Sequence, residues 1–145
     1  MDPSYLSPHV NLAARLESAT KQFGVDLLLS ADFVGALLVE EHVECVRLVD
    51  VARLRGAAQP MRVYTFDDPQ ADRPSLRLPY SAYRTLFGEG VDLYLAGEWV
   101  SSAQALLRAK AAWPDDGVVD ALLSFMDASG GVAPPGWPGF RDLEK

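Results

Sequence analysis

The sequence predicts an α+β protein in which a sheet-containing N-terminal half is followed by a helical C-terminal half. Residues 43–51 and 61–66 are rich in β-branched and aromatic side chains, as strands are. After residue 78, apolar residues instead recur at helical spacing between glycine and proline breaks. With 145 residues, of which 49% are hydrophobic, the chain has the size of one ordinary domain, or of one small domain with an appendage.

Composition excludes several functional classes. The net charge is −7, and the sequence has no cluster of Lys and Arg that could bind the phosphate backbone of a nucleic acid. We therefore expect no nucleic-acid partner. Cys45 is the only cysteine, which excludes an internal disulfide. We expect its side chain to be a small buried hydrophobic group and not a nucleophile. With two histidines, a metal would have to bind through oxygen.

Neither a bilayer-spanning apolar run nor an export signal is present in the sequence. We therefore expect a cytoplasmic protein, or the cytoplasmic part of a membrane protein if further sequence precedes Met1.

The N-terminal elements follow from caps and spacing. Ser7 and Pro8 favour a helix start, and Gly24 favours a stop, which predicts a helix over residues 8–23. A short strand is predicted next, over residues 25–29, and Ser30 can cap a short helix over residues 31–38. The strands predicted at residues 43–51 and 61–66 follow, and a hairpin-like turn at residues 55–60 joins them.

Turn formers and charged residues without hydrophobic periodicity predict a linker at residues 67–78. The predicted organisation is therefore a first unit over residues 1–66, the linker, and a helical extension over residues 79–145. Within that extension the spacing predicts three helices, at residues 79–96, 98–112 and 116–128. The proline- and glycine-rich tail, residues 132–140, is predicted to be irregular and anchored by Trp137 and Phe140.

Two motifs in the first unit carry a family resemblance. One is VNLAARLE at residues 10–17, followed by KQFGV at 21–25 and the strand that ends at Ser30. The other is the strand–turn–strand VARLRG at 51–56 with MRVYTF at 61–66. Together they resemble the C-terminal portion of a class III nucleotidyl (adenylate/guanylate) cyclase catalytic domain. The resemblance covers about residues 4–66, less than half of such a domain, and implies a partial ferredoxin-like cyclase sheet.

In such cyclases the ribose 3′-hydroxyl attacks the α-phosphate of a nucleoside triphosphate and pyrophosphate leaves. The resemblance implies that Asn11 orients the ribose and that Arg15 contacts the phosphate in the transition state. Their i, i+4 spacing puts both on one helix face, about 6 Å apart along the axis, so both can address one nucleotide. Arg55 stands where the family usually has a lysine that holds the terminal phosphates. An arginine in place of that lysine keeps the positive charge but changes the geometry of the contact.

Ser4, seven residues before Asn11, stands where the family places a purine-reading residue, and a hydroxyl there favours ATP over GTP. The complete domain uses Mg²⁺ or Mn²⁺ held by two aspartates, on strands that precede the segment present here. The resemblance therefore implies a fragment that is inactive alone and that works as a homodimer or with a second cyclase half.

The helical extension has a resemblance of its own. GVDLYLAGEW at residues 90–99, small residues up to Ala109 and then Pro114 resemble a tetratricopeptide-like helix pair. Because one such pair cannot bury both faces, it is expected to dock on the cyclase-like unit, on missing chain or on a protein partner. A plain helical appendage fits the same residues.

Other interpretations of the site residues remain open. Asn11 also fits an ordinary exposed helix position, Arg15 fits a pair with a neighbouring acid, and Arg55 alternates with Arg53 as in any half-exposed strand. The main functional hypothesis is a partial cyclase in intracellular signal transduction. The alternative is a catalytically inactive regulatory or protein-interaction module built on a cyclase remnant and a helical repeat.

Overall fold

A computed structural model describes residues 29–30, 45–54 and 56–143. This part of the chain is α+β, as predicted. Its elements in chain order are strands β1 (Leu29–Ser30), β2 (Val46–Arg53) and β3 (Met61–Phe66), helices α1 (Tyr80–Leu95), α2 (Trp99–Ala112) and α3 (Gly117–Ala128), and strand β4 (Arg141–Asp142).

The strands form one sheet in the order β1-β3-β2-β4. β3 is antiparallel to both of its neighbours, whereas β4 lies parallel to β2. The β2–β3 register shifts between Leu48 and Asp50, so Val49 is an extra residue on β2. Such a bulge breaks the strict alternation of faces, and Val49 and Asp50 are both fully buried.

Helices α1 and α2 cross closely because small residues line the crossing. A Cβ atom at Gly90 would lie only 2.6 Å from Leu106 Cδ2, and Ser102 Oγ donates to the Gly90 carbonyl at 2.7 Å. The connection between the two helices passes through Gly97 at φ +85°, a left-handed conformation that favours glycine. Asp116 then caps α3 by accepting from the Val118 N–H.

The helices and the sheet share one hydrophobic core. Buried Val49 and Val63 of the sheet belong to the same cluster as Phe87 of α1, Leu106 of α2 and Leu122 of α3. Residues on both sides of the predicted linker therefore pack together. No helix in the described ranges is long and apolar enough to cross a membrane.

The observed elements match most of the predicted ones. Each of the three helices begins and ends within one residue of its predicted bounds, and β3 coincides with residues 61–66. β2 spans Val46–Arg53 where residues 43–51 were predicted, and β1 contains Leu29, the last residue of the strand predicted at 25–29, together with Ser30. β4 was not predicted. The helices predicted at residues 8–23 and 31–38 lie outside the described residues.

The tail is irregular through residue 140, as predicted, and Trp137 anchors it: its indole Nε1 donates to the Leu95 carbonyl at 3.1 Å. Phe140 lies beside the end of β2, where the Arg53 guanidinium carbon is 5.5 Å from its ring centroid. The chain then enters β4 beside the end of β2.

Candidate functional site

The four site residues predicted from the sequence, Ser4, Asn11, Arg15 and Arg55, lie outside the described residues. The structure therefore gives no geometry for their side chains. It does describe the backbone on either side of Arg55 and contacts made by that backbone.

The described residues on either side of Arg55 belong to the connection between the antiparallel strands β2 and β3. Leu54, directly after β2, is 2% exposed, and its carbonyl accepts from the Ala57 N–H at 2.9 Å. Gly56 has φ +82°, which a residue with a Cβ atom adopts only under strain. Gly56 itself is exposed, so the turn has a buried base and a solvent-facing tip.

The start of β2 carries a buried ionic group, the Arg47 cluster, which consists of Arg47, Asp67, Asp116, Tyr80 and Tyr83. Arg47 Nε lies 2.6 Å from Asp67 Oδ2, and its Nη1 lies 2.7 Å from Asp116 Oδ2. Arg47 Nη2 reaches the second oxygen of each carboxylate, at 3.2 and 3.3 Å. The hydroxyls of Tyr80 and Tyr83 donate to Asp67 and Asp116, respectively.

The electrostatics of the cluster keep Arg47 charged and the tyrosines neutral. Burial lowers the pKa of Arg47, but Asp116 and Asp67 together outweigh burial and leave the pKa above its ordinary value. Burial, reinforced by the adjacent carboxylate, raises the pKa of Tyr80 and Tyr83. The guanidinium also lies 4.5 Å from the ring centroid of Phe87.

This cluster serves the protein's own structure. A guanidinium has five N–H donors, and the two carboxylates take four hydrogen bonds from Arg47. Little capacity is left for a phosphate or carboxylate ligand. The cluster joins β2 to the segment before α1, to α1 itself and to the start of α3.

A second buried group, the Asp50 cluster, lies further along β2 and consists of Asp50, Tyr94 and Arg141. Arg141 Nε lies 2.8 Å from Asp50 Oδ2, and the Tyr94 hydroxyl donates to the same oxygen at 3.1 Å. Asp50 also accepts from the Val51 N–H at 2.7 Å. Burial raises the pKa of Asp50 to about 6, and the charge of Arg141 opposes that rise.

A titratable carboxyl with a raised pKa can mark an active site. Here the oxygens of Asp50 are occupied by a tyrosine, an arginine and a backbone amide, and the side chain is fully buried. We therefore interpret the Asp50 cluster as a link between β2, α1 and β4.

A cleft of about 220 Å³ lies between the start of β2 and α1. Arg84 and Asp92 contribute charge to its lining, and Arg84 donates to the Val46 carbonyl at 2.8 and 3.0 Å. Pockets for drug-sized ligands are usually about 300 Å³ or larger. The cleft is therefore too small to enclose a nucleoside triphosphate.

Among the residues that the structure describes, no group of three or more His, Cys, Asp or Glu side chains is placed to hold a metal ion.

Comparison with known proteins finds no matching family model, no matching curated protein and no matching solved structure. The functional argument therefore rests on the chain's own residues.

Sequence reasoning missed both buried ionic clusters. A signal for them is present, because Arg47 and Asp50 interrupt the apolar run at residues 46–52. Charged residues are almost never fully buried unless they are paired. The sequence does not say which of the 20 acidic residues would pair with Arg47.

Proposed function

We propose that this chain is the C-terminal part of a class III nucleotidyl cyclase, with a helical extension, and that it takes part in intracellular signalling. The observation that carries the proposal is the pair of motifs at residues 10–17 and 51–66, in the family's order. The described hairpin supports it: β2 and β3 are antiparallel, as a strand–turn–strand motif requires, and Gly56 in the connection has φ +82°.

In this proposal three side chains act on one nucleoside triphosphate, with ATP favoured over GTP by Ser4. Asn11 orients the ribose so that its 3′-hydroxyl faces the α-phosphate. Arg15 donates to the charge that develops as the new P–O bond forms, and Arg55 holds the terminal phosphates, which are charged throughout. Preorganised donors of this kind lower the barrier because they need no reorganisation during the reaction.

The proposed reaction also uses Mg²⁺ or Mn²⁺, which neutralises charge on the triphosphate when bound. By the resemblance, the metal-binding aspartates lie on strands that precede this segment. The proposal therefore places them on another segment, either upstream of residue 1 or on a second cyclase half, and gives this chain the nucleotide-orienting side of the site.

The experiment is reconstitution. The purified chain is mixed with a separately produced N-terminal portion of a class III cyclase that supplies both aspartates, and cyclic nucleotide formation from ATP and from GTP is measured with Mn²⁺. We expect activity that needs both parts and is lost in Arg15→Ala. Arg108→Ala is the matched control, since it removes one exposed positive charge on α2. Equal activity of both variants contradicts the proposal.

One observation favours the alternative, an inactive regulatory or interaction module. Val100 and Leu107 of α2 are 61% and 56% exposed and lie seven residues apart, on one side of the helix. A protein partner of the helical extension would contact this side. If reconstitution fails while Val100→Asp abolishes capture of such a partner, the alternative is the better description.

A further inference from the structure

We propose that the outer side of α2 is a self-association surface, through which two copies of this chain pair about a two-fold axis with their α2 helices antiparallel. The interaction-module alternative leaves the partner unnamed, whereas the exposed residues of α2 favour a second copy. The inference does not rest on the proposed cyclase reaction, because no residue of the proposed nucleotide site belongs to α2.

Exposed large apolar side chains are concentrated along α2. In the described part of the chain there are four of them: Leu78, Val100, Leu107 and Val132. Val100 and Leu107 belong to the helix itself. Single exposed apolar side chains are normal on a protein surface, whereas several along one element mark an interaction surface.

The other two lie next to the two ends of this helix. The Arg77 N–H donates to the Ala112 carbonyl at 2.8 Å, so Leu78 directly follows a residue held at the C-terminal end of α2. A Cβ atom at Gly97 would lie 3.9 Å from Ala133 Cβ. Val132 therefore precedes a residue that lies beside the N-terminal end of α2.

The outer side of α2 forms a narrow, uncharged seam. Val100, Gln104, Leu107 and Ala111 are all exposed, and they follow one another at spacings of four, three and four residues. These positions lie within about 60° of one another around the helix axis, as in a seam that packs on another helix. The buried side of α2 contains Leu106, and α2 packs against both α1 and α3.

This seam has nearly the same pattern when it is read in either direction. Val100 and Leu107 lie four and three residues from Gln104, on opposite sides of it. A two-fold axis that crosses α2 between residues 103 and 104 therefore puts Val100 of one copy level with Leu107 of the other. It also brings the helix end next to Leu78 towards the helix end next to Val132. A two-fold interface needs such self-complementarity, because both copies use the same surface.

Gln104 suits a position beside the two-fold axis. A glutamine amide both donates and accepts hydrogen bonds, so two identical amides can satisfy each other. In the pair the two Gln104 residues lie about 1.5 Å apart along the helix axis. A charged residue there would instead meet its own like charge, so an uncharged amide favours a second copy as the partner.

Charge favours the antiparallel direction. Arg108 is exposed beside the seam, and Glu98 is exposed at the N-cap of α2. In the antiparallel pair Arg108 lies within one residue of the level of Glu98 of the second copy, and the two Arg108 residues are about 14 Å apart along the axis. In a parallel pair the two Arg108 residues would lie at the same level. Exposed charges of this kind decide orientation more than affinity.

The first test is sedimentation equilibrium of the full chain at concentrations from about 1 µM to about 1 mM. One helix pair buries less than the roughly 1,600 Å² of a standard interface, so we expect a weak dimer with a Kd inside this range. Leu107→Asp places a charge in the seam and should raise the Kd at least tenfold. Val100→Asp should do the same, so the test does not depend on the folding of one variant.

Ser124→Asp is the matched control, since it adds the same charge at an exposed position of α3. It should leave the Kd unchanged. A wild-type chain that stays monomeric throughout the concentration range overturns the proposal. So does a dimer that persists unchanged in folded Leu107→Asp and Val100→Asp, since it would use another surface.

Cross-linking tests the direction of the helices. The Cys45→Ala background removes the only native cysteine, and Gln104→Cys or Arg108→Cys is then added and exposed to a mild oxidant. Disulfides form only between close residues, so Gln104→Cys, beside the axis, should cross-link two copies at least tenfold faster than Arg108→Cys. Equal rates, or faster cross-linking through Arg108→Cys, overturn the antiparallel pair.

Discussion

Arg47 on β2 and Asp116 at the start of α3 form a buried ion pair with an Nη1–Oδ2 distance of 2.7 Å, although 69 residues separate them in the chain. The side chains of the two residues are 2% and 3% exposed. Asp116 also caps α3 and accepts from Tyr83. One carboxylate thus joins the sheet, α1 and α3.

We predict that Asp116→Ala lowers the free energy of unfolding by about 3–5 kcal/mol, because it leaves the buried Arg47 with one partner fewer and removes the helix cap. Urea unfolding measures this. Asp120→Ala is the matched control on the same helix: its pair with Lys110 is exposed, so the loss should stay within about 0.5 kcal/mol. Similar losses in both variants would contradict a structural role for the Arg47 cluster.

The shared core predicts that the sheet and the helices unfold together. All three tryptophans, Trp99, Trp113 and Trp137, lie in or next to the helices, so their fluorescence reports that half of the chain. Val63→Ala in β3 removes buried methyl groups and should cost about 2 kcal/mol. We expect the tryptophan-detected urea midpoint to fall accordingly. A midpoint that does not change would mean that the helices unfold independently of the sheet.

The helices could be predicted from sequence because their signals are local. The break between α1 and α2 depends on Gly97, and the break before α3 on the turn that contains Pro114. β3 was also predicted to the residue, since its β-branched and aromatic side chains stand between clear turn formers.

β4 could not be predicted, for the opposite reason. Its two residues follow a proline- and glycine-rich stretch, and they are a strand only because β2, far away in the sequence, lies beside them. The bulge at Val49 is likewise set by tertiary packing. The ion-pair partners of Arg47 and Asp50 are set by the same long-range contacts. The sequence therefore shows that β2 carries buried charges, but it does not show which residues pair with them.

Asp50 predicts a specific pH dependence. Its folded-state pKa of about 6 lies above the ordinary value of 3.8, so between these values the folded protein holds a proton that the unfolded chain has lost. The contribution of Asp50 to stability is therefore largest below pH 4, falls as the pH rises to about 6, and is constant above that. Asp50→Asn removes this dependence, and its one amide oxygen replaces the two carboxylate oxygens that accept from Val51 and Tyr94, so the variant is less stable at every pH while the pH dependence alone reports the titration.

The measurement is urea unfolding of wild type and Asp50→Asn at several pH values from 4 to 8. The wild-type free energy of unfolding minus that of the variant should fall by at most about 1 kcal/mol per pH unit between pH 4 and 6. A difference that rises with pH would show that Arg141 outweighs burial and holds the pKa of Asp50 below its ordinary value.

The proposed cyclase reaction predicts that the chain alone forms no cyclic nucleotide from ATP or GTP with Mg²⁺ or Mn²⁺. The physical reason is that the resemblance places the aspartates that hold the triphosphate-neutralising ions on strands before this segment. The assay is product formation by the purified protein. Turnover that Arg15→Ala abolishes would show that the chain carries a complete site, and that the proposal of a fragment is wrong.

In the reconstituted enzyme, Arg15→Ala and Arg55→Ala should fail in different ways. Arg15 would meet charge that develops only as the 3′-oxygen attacks, so its loss should lower kcat by about 10²–10³ with little change in KM. Arg55 would meet terminal phosphates that are already charged in the ground state, so its loss should mainly raise KM. Steady-state kinetics on both variants, with circular dichroism to establish folding, separates the two roles. Equal and mild effects, or an unchanged kcat in Arg15→Ala, would mean that the resemblance to the cyclases has assigned the wrong residue to the transition state.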